Sequence, residues 1–334
     1  MKKLSNFVNG KSVDSTSGET TTLVNPATGQ PFATAPKSNA TDIDAAYKAA
    51  NDAFPDWRDS TPSQRQRALL KIADAIENDP RMFEMLMHKL GETKAGQQLQ
   101  ELRTALFAQG STQWHIKDTG DEVGHRFLME ALAHHRPNDA VLSEEGADNN
   151  KRLSANRVWI IDPLDGTNEY SEEGRGDWAI HVALWEDGEL TAGAVALPVL
   201  GITLSTDPAT KPVLPAPLAR KPRLITSRNR APYSAHLVAN AIDCDAIRMG
   251  SAGAKAMAVV LGEADIYVHD GGMHQWDSAA PMVVAQAAGL FTSRTDGSPL
   301  VYNMRDTWLP DFIVCQQHLA HQVVDALRAG RIDW

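Results

Sequence analysis

The sequence predicts a layered α/β domain preceded by a smaller, mostly helical piece. Three observations carry this. The chain has 334 residues with 43% apolar content, enough for a sizeable buried core. Strand and helix patterns are intermixed from Val158 onward. Charge is uneven: the first 80 residues sum to −1, and the remainder to −9 of a total of −10. The acidic balance argues against nucleic acid as a partner, since a phosphate backbone needs clustered Lys and Arg. Two cysteines, Cys244 and Cys315, are too few for a disulfide framework or a thiolate zinc site and suit a reducing cytosol. No apolar run follows Met1-Lys2-Lys3, and the most apolar stretch, Ala192 to Ile202, is short and contains Pro198. A cytoplasmic protein with no membrane partner is expected.

In the first piece, Phe7-Val8-Asn9-Gly10-Lys11 reads as a strand entering an Asn-Gly turn, and Val24-Asn25-Pro26-Ala27-Thr28-Gly29 as another turn. A helix follows with apolar positions Ile43, Ala46, Tyr47, Ala50, Phe54 and Trp57, which Pro55 should end or kink. A second starts from Thr61 as N-cap and Pro62 at its first position, and keeps Leu69, Ile72, Ala73 and Ile76 on one face until Asn78-Asp79-Pro80. These strings resemble the N-terminal segment of an aldehyde dehydrogenase, over roughly a quarter of the chain. Nothing downstream resembles that family's thiol or NAD motifs. Cys244 lies between Asp243 and Asp245, carboxylates that would raise a thiol pKa rather than activate it. Aldehyde oxidation is therefore not expected.

The boundary is placed near Pro80. Beyond it a helical pattern runs through Phe83, Leu86, Leu90, Ala95, Leu99, Leu102 and Leu106, interrupted by Gly91 and Gly96. His134-His135 reads as a helix end. Val158 to Ile161 is a short apolar strand, Trp178 to Trp185 a second, and Leu190 to Leu197 a third after the turn Glu186-Asp187-Gly188-Glu189. Five prolines between Pro208 and Pro222 mark a loop. Ile266-Tyr267-Val268 reads as a buried strand, and Asp277 to Ala288 as a helix closed by Gly289.

The chemistry concentrates in Ile160-Ile161-Asp162-Pro163-Leu164-Asp165-Gly166-Thr167, where an apolar strand ends in two carboxylates separated by a turn. Pro163 fixes one φ angle and Gly166 permits a tight bend, so Asp162 and Asp165 can share a centre. Two acids that close repel unless a cation lies between them, and magnesium is the natural candidate because it takes oxygen ligands and keeps waters. Glu144-Glu145 after an apolar run and Asp277 at a helix start complete the set. Singly, each reads as a turn, a solvated face or a helix cap. Together with Gly250-Ser251-Ala252-Gly253 and Trp276-Asp277-Ser278-Ala279-Ala280, they make residues from about 84 to 334 resemble the inositol monophosphatase superfamily, nearest its bacterial 3′(2′),5′-bisphosphate nucleotidase group.

The resemblance implies an αβαβα sandwich behind the N-terminal appendage, and a magnesium-dependent phosphomonoesterase. Two or three ions are implied: Glu144, Asp162 and the Leu164 carbonyl for one, Asp162, Asp165 and Asp277 for another, and Glu145 beside a third. It also implies lithium sensitivity. Water would be oriented by Glu144 and by the Thr167 hydroxyl, with Asp121 as the acid bonded to that threonine. Here the Asp121 segment, Lys117-Asp118-Thr119-Gly120-Asp121, departs from the family's serine-proline-threonine run. The substrate is a small anionic phosphate ester, 3′-phosphoadenosine 5′-phosphate first, with inositol-1-phosphate or fructose-1,6-bisphosphate as alternatives. A noncatalytic binding protein is the rival from another class. Phosphate-binding candidates are Gly166, Thr167 and Ser251 at helix N-termini, with Asp277. Lys255, Arg228 and Arg230 are the cations for a second phosphate. The stripes of the first two helices must pack on each other, on the phosphatase body or on a second subunit, which leaves a homodimer open.

Overall fold

A computed structural model describes residues 2–24, 29–77, 94–148, 150–207, 212, 214 and 220–330, and the chain divides into two units, Met1–Asn78 and Asp79–Trp334. The first unit holds β1 (Lys2–Lys3), β2 (Asn6–Val8), β3 (Lys11–Val13), β4 (Thr20–Val24), β5 (Pro31–Pro36), α1 (Ala40–Asp59) and α2 (Pro62–Glu77). The Asn-Gly turn forms as read: Asn9 and Gly10 take φ of 50° and 74°, the left-handed pair that a tight hairpin between β2 and β3 requires. A second small sheet, β1-β5-β4, was not expected.

α1 opens on a reciprocal cap between Asn39 and Asp42. It runs through Pro55 to Asp59, so the proline does not end it. Asn51, whose carbonyl the proline leaves without a donor, is exposed and open to water. Thr61 caps α2 as read, its Oγ1 accepting from Gln64 N at 3.3 Å. The apolar stripe stays uncovered, with Tyr47 71% and Leu69 59% exposed. Among the described residues of this unit only Ser15 and Ala33 are buried. The turn at residues 25–28, the side chains of Ala73 and Ile76, the Asn78 to Pro80 stop, the pattern from Phe83 to Leu90, Gly91 and most of the proline loop after 207 lie outside the described residues.

The second unit continues with α3 (Gly96–Ala108), α4 (Gln113–His135), β6 (Ala140–Ser143), β7 (Arg157–Asp165), α5 (Thr167–Tyr170), β8 (Ala179–Glu186), β9 (Glu189–Leu197), β10 (Ile202–Ser205), β11 (Arg223–Ser227), α6 (Tyr233–Ile242), β12 (Asp245–Met249), α7 (Ala252–Val260), β13 (Ile266–His274), α8 (Gln275–Ala288), β14 (Phe291–Ser293), β15 (Trp308–Cys315) and α9 (Ala320–Ala329). Two five-stranded sheets form, β10-β9-β8-β7-β6 and β12-β11-β13-β15-β14.

Side-chain alternation along β7 explains the layers. Val158 and Ile160 point into one core with Ala256, Ala280 and Val284 of α7 and α8 and with Tyr267 and Phe312 of the second sheet. Trp159 and Ile161 point the other way, against Leu99 of α3 and Ile116, Leu128 and Leu132 of α4. Val238 of α6 and Val323 and Leu327 of α9 cover the outer face of the second sheet. The result is helix, sheet, helix, sheet, helix, the sandwich expected. Strands buried on both faces read as continuous apolar runs. Cys315 is one of the buried residues of the outer layer. Burial, rather than its acidic neighbours, is the first cause that raises Cys244 to about 11. No helix among the described residues is long and apolar enough to cross a membrane.

Candidate active site

Three elements deliver the acids. β7 is apolar through Ile161, and its register with β8 breaks between Asp162 and Asp165, so both carboxylates leave one strand end. Leu164 N donates to Asp162 Oδ1 at 3.1 Å, while Asp162 Oδ2 is buried without a hydrogen-bond partner. Glu144 follows β6, where its N–H bonds Ile161 O at 3.3 Å and sets its carboxyl beside Asp162. Asp277 stands in the first turn of α8 and accepts from His274 N at 2.6 Å, a helix cap as well as a site acid. One carboxylate oxygen from each of Asp162, Asp165 and Asp277 lies within 4.8 Å of the other two.

Charge is costly here. Burial raises Glu144 to about 7, and the nearby Asp277, Glu145 and Asp165 add to it. Burial and the Glu144 carboxyl push Asp162 well above the usual carboxylate range. Burial and Asp165 raise Asp277 to about 6. Asp165 behaves oppositely. Burial pushes it up, but His181, the Ser251 hydroxyl and the Gly253 N–H together hold it down to about 2. A partnerless buried oxygen among acids reluctant to ionise is a place that a cation would relieve. Every candidate ligand is a hard oxygen, the donor set magnesium takes, so the residues present fit that ion.

Thr167 opens α5 after Gly166, whose φ of 90° no L side chain adopts without strain. The threonine Oγ1 lies 3.2 Å from Asp121 Oδ1 and 3.0 Å from Leu164 O, one proton for two acceptors. Asp121 therefore meets the threonine despite its unusual segment, which lies in the first half of α4. Burial and the Glu145 charge raise Asp121 to about 7, against the threonine's pull.

Three expectations are corrected by what the side chains touch. The N-terminus of α7 is not open to a phosphate: Ala252 N at 3.1 Å and Gly253 N at 2.6 Å donate to Asp165, Ser251 Oγ donates to the same carboxylate, and Gly250 N donates to Asp177 at 2.6 Å. Lys255 is buried beneath that loop, donating to Gly250 O at 3.1 Å and Ser251 O at 2.5 Å, and burial pushes it down to about 8. It shapes the loop instead of reaching a second phosphate. Arg228 binds both oxygens of Glu172 at 2.6 Å and lies 3.1 Å from Glu169, so it is already neutralised. Arg230 is exposed. His274 is structural, stacked on Trp276 and bonded to Thr307. The reading missed His181, fully buried between Asp162 and Asp165. Its signal is a lone polar residue within the apolar run Trp178 to Trp185.

Residues 75–329 match the model of the inositol monophosphatase family. The chain belongs to that family. The match gives no support to the aldehyde dehydrogenase likeness of the opening. Two similar relatives are the 3′-phosphoadenosine 5′-phosphate phosphatases of Mycobacterium bovis, 45% identical over 64% of this chain and 82% of the relative, and of Mycobacterium leprae, 44% identical over 71% and 90%. Among solved structures, inositol monophosphatase II of Staphylococcus aureus superposes with a TM-score of 0.64 at 20% identity, over 75% of this chain and 94% of that one. That likeness shows the fold of an inositol monophosphatase.

Proposed function

We propose that the chain is a magnesium-dependent phosphomonoesterase that hydrolyses 3′-phosphoadenosine 5′-phosphate to AMP and phosphate. The observation that carries it is the acidic triad Asp162, Asp165 and Asp277, its first two members buried, with one Asp162 oxygen left without a hydrogen-bond partner. The mycobacterial relatives' names support the substrate. Glu144, Asp162, Asp165, Asp277 and the Leu164 carbonyl would hold two ions, with Glu145 beside a third. When bound, magnesium supplies the positive charge that stabilises an in-line displacement at phosphorus. The residues of the chain do the rest. Thr167 Oγ1, aligned by Asp121, and Glu144 orient the attacking water, and Glu144 accepts its proton. The ester bond from phosphorus to the 3′ oxygen breaks, and that oxygen takes up a proton to leave as a hydroxyl.

The test is phosphate release with and without magnesium on 3′-phosphoadenosine 5′-phosphate, inositol-1-phosphate and fructose-1,6-bisphosphate. The bisphosphonucleotide should give the highest kcat/KM, and no magnesium-dependent release from any of the three would overturn the reading. The same assay separates the cations. Arg230→Gln should weaken turnover of the bisphosphonucleotide more than of inositol-1-phosphate, which lacks the second phosphate. Lys255→Met, which acts through the loop carbonyls, should weaken both alike.

Residues 1–80, the aldehyde-dehydrogenase-like piece, are a noncatalytic appendage in this proposal, and their exposed stripe serves association of a cytoplasmic homodimer. Leaving each such large apolar side chain in water forgoes about 1.5 to 3 kcal/mol. A chain beginning at Arg81 should keep its magnesium-dependent activity and show a smaller oligomer by light scattering. A folded truncation without activity would show that the piece completes the site.

A further inference from the structure

We infer that His181 is a positioning residue that holds the metal-binding acids in register, an inference that rests on the magnesium reading above. Its imidazole is fully buried and meets both the strand end that carries Asp162 and Asp165 and the helix that carries Asp277. Nδ1 lies 3.2 Å from the carbonyl oxygen of Trp276, the residue before Asp277, and 3.8 Å from Asp162 Oδ2. Nε2 lies 3.3 Å from Asp165 Oδ2. The strand pairing sets this up, because His181 is the direct partner of Asp162 across β7 and β8. Helix α7 closes the pocket: a Cβ on Gly253 would stand 1.9 Å from Nε2, so the glycine is what admits the ring. The ring is thus wedged between the strand end that carries Asp162 and Asp165, the α7 terminus that binds Asp165, and the first turn of α8 that carries Asp277.

A carboxylate that ligates a metal works only when held at the right angle, and the group behind it supplies that orientation. Here one side chain stands behind two of them and behind the backbone that precedes the third. No smaller side chain spans both ends. Asparagine places its amide near the Nδ1 position and can keep the link to Trp276, whereas glutamine reaches toward the Nε2 position and can keep the contact with Asp165. His181→Asn and His181→Gln therefore each remove one end of the brace while leaving a polar group in the pocket.

The test is a titration of metal-free full-length protein with Mn2+, which takes the same oxygen ligands and whose free ion is counted by electron paramagnetic resonance. Circular dichroism and the metal-free melting temperature are measured in parallel. Both variants are expected to weaken Mn2+ binding by about 10- to 100-fold, with the metal-free melting temperature within a few degrees of wild type. Folded variants with affinity within threefold of wild type would overturn the inference. So would weakened affinity that merely tracks a lost metal-free fold, since that marks a packing residue. Wild-type protein that binds no Mn2+ would instead overturn the metal reading on which the inference rests.

Discussion

Asp162→Asn is expected to lower kcat on 3′-phosphoadenosine 5′-phosphate at least a thousandfold, a barrier increase of about 4 kcal/mol, without loosening the metal-free fold. The two effects come from the same carboxylate. Oδ1 caps Leu164 N, a bond the asparagine oxygen can still accept, whereas Oδ2 has no hydrogen-bond partner and its carboxyl lies among Glu144, Asp165 and Asp277. That oxygen is the one Asp162 would offer to magnesium. An amide nitrogen there carries no negative charge and has no lone pair to offer. Without metal, the substitution removes one of several mutually repelling acids, so the melting temperature of the stripped protein should stay level or rise. Steady-state kinetics at saturating magnesium and calorimetry of the stripped protein check both halves. A variant keeping more than about a tenth of wild-type kcat, a barrier change below roughly 1.4 kcal/mol, would sink the central role given to Asp162.

What made Asp162 and Asp165 legible was local. An apolar run, a proline, a glycine and two acids stand within eight residues, and the strand end does in space what it does in sequence. Asp277 was legible for the same reason, since the residue that caps a helix is the one at its start. The errors concern residues whose partners are distant in the chain. Lys255 looks like a phosphate cation because it follows a Gly-Ser loop, but α7 turns its side chain under the loop, where Tyr267 closes the other side at 5.3 Å. Arg228 looks free until Glu172, 56 residues earlier, is brought to it by the fold.

Helix α4 was legible only at its end, His134-His135, for a different reason. Its buried positions are Ile116, Gly120, Gly124, Leu128 and Leu132, and the two glycines break the apolar stripe that marks a helix. They are there for close approach. A Cβ at Gly120 would lie 2.7 Å from Tyr170, and one at Gly124 3.1 Å from the Pro163 carbonyl. The helix gives up propensity to come close to the Asp-Pro turn, and that closeness brings Asp121 to Thr167. The departure from the family's motif thus changes the segment without breaking the contact it serves.

Asp165→Asn, three residues further along the same strand, should have the opposite effect on the metal-free protein. Asp165 accepts from Ala252 N, Gly253 N and the Ser251 hydroxyl and sits beside His181 Nε2, so its negative charge is held by donors rather than opposed by acids. An asparagine must turn its amide nitrogen toward at least one of these buried donors, leaving donor against donor, a defect worth about 1 to 3 kcal/mol. The pH dependence supplies a second reading. With Asp165 held down to about 2 against an ordinary 3.8, the native state binds fewer protons than the unfolded chain between those values. Its contribution, about 2 kcal/mol, is therefore complete above pH 3.8 and lost as the pH falls through 2. The asparagine variant should lack that acid-side loss and start from a lower plateau. Denaturant unfolding of stripped wild-type, Asp162→Asn and Asp165→Asn proteins at pH 7, repeated at pH 3, measures all of this together. If Asp165→Asn proves as stable as Asp162→Asn at pH 7, the helix N-terminus is not what holds Asp165, and its carboxylate must be assigned to metal binding alone.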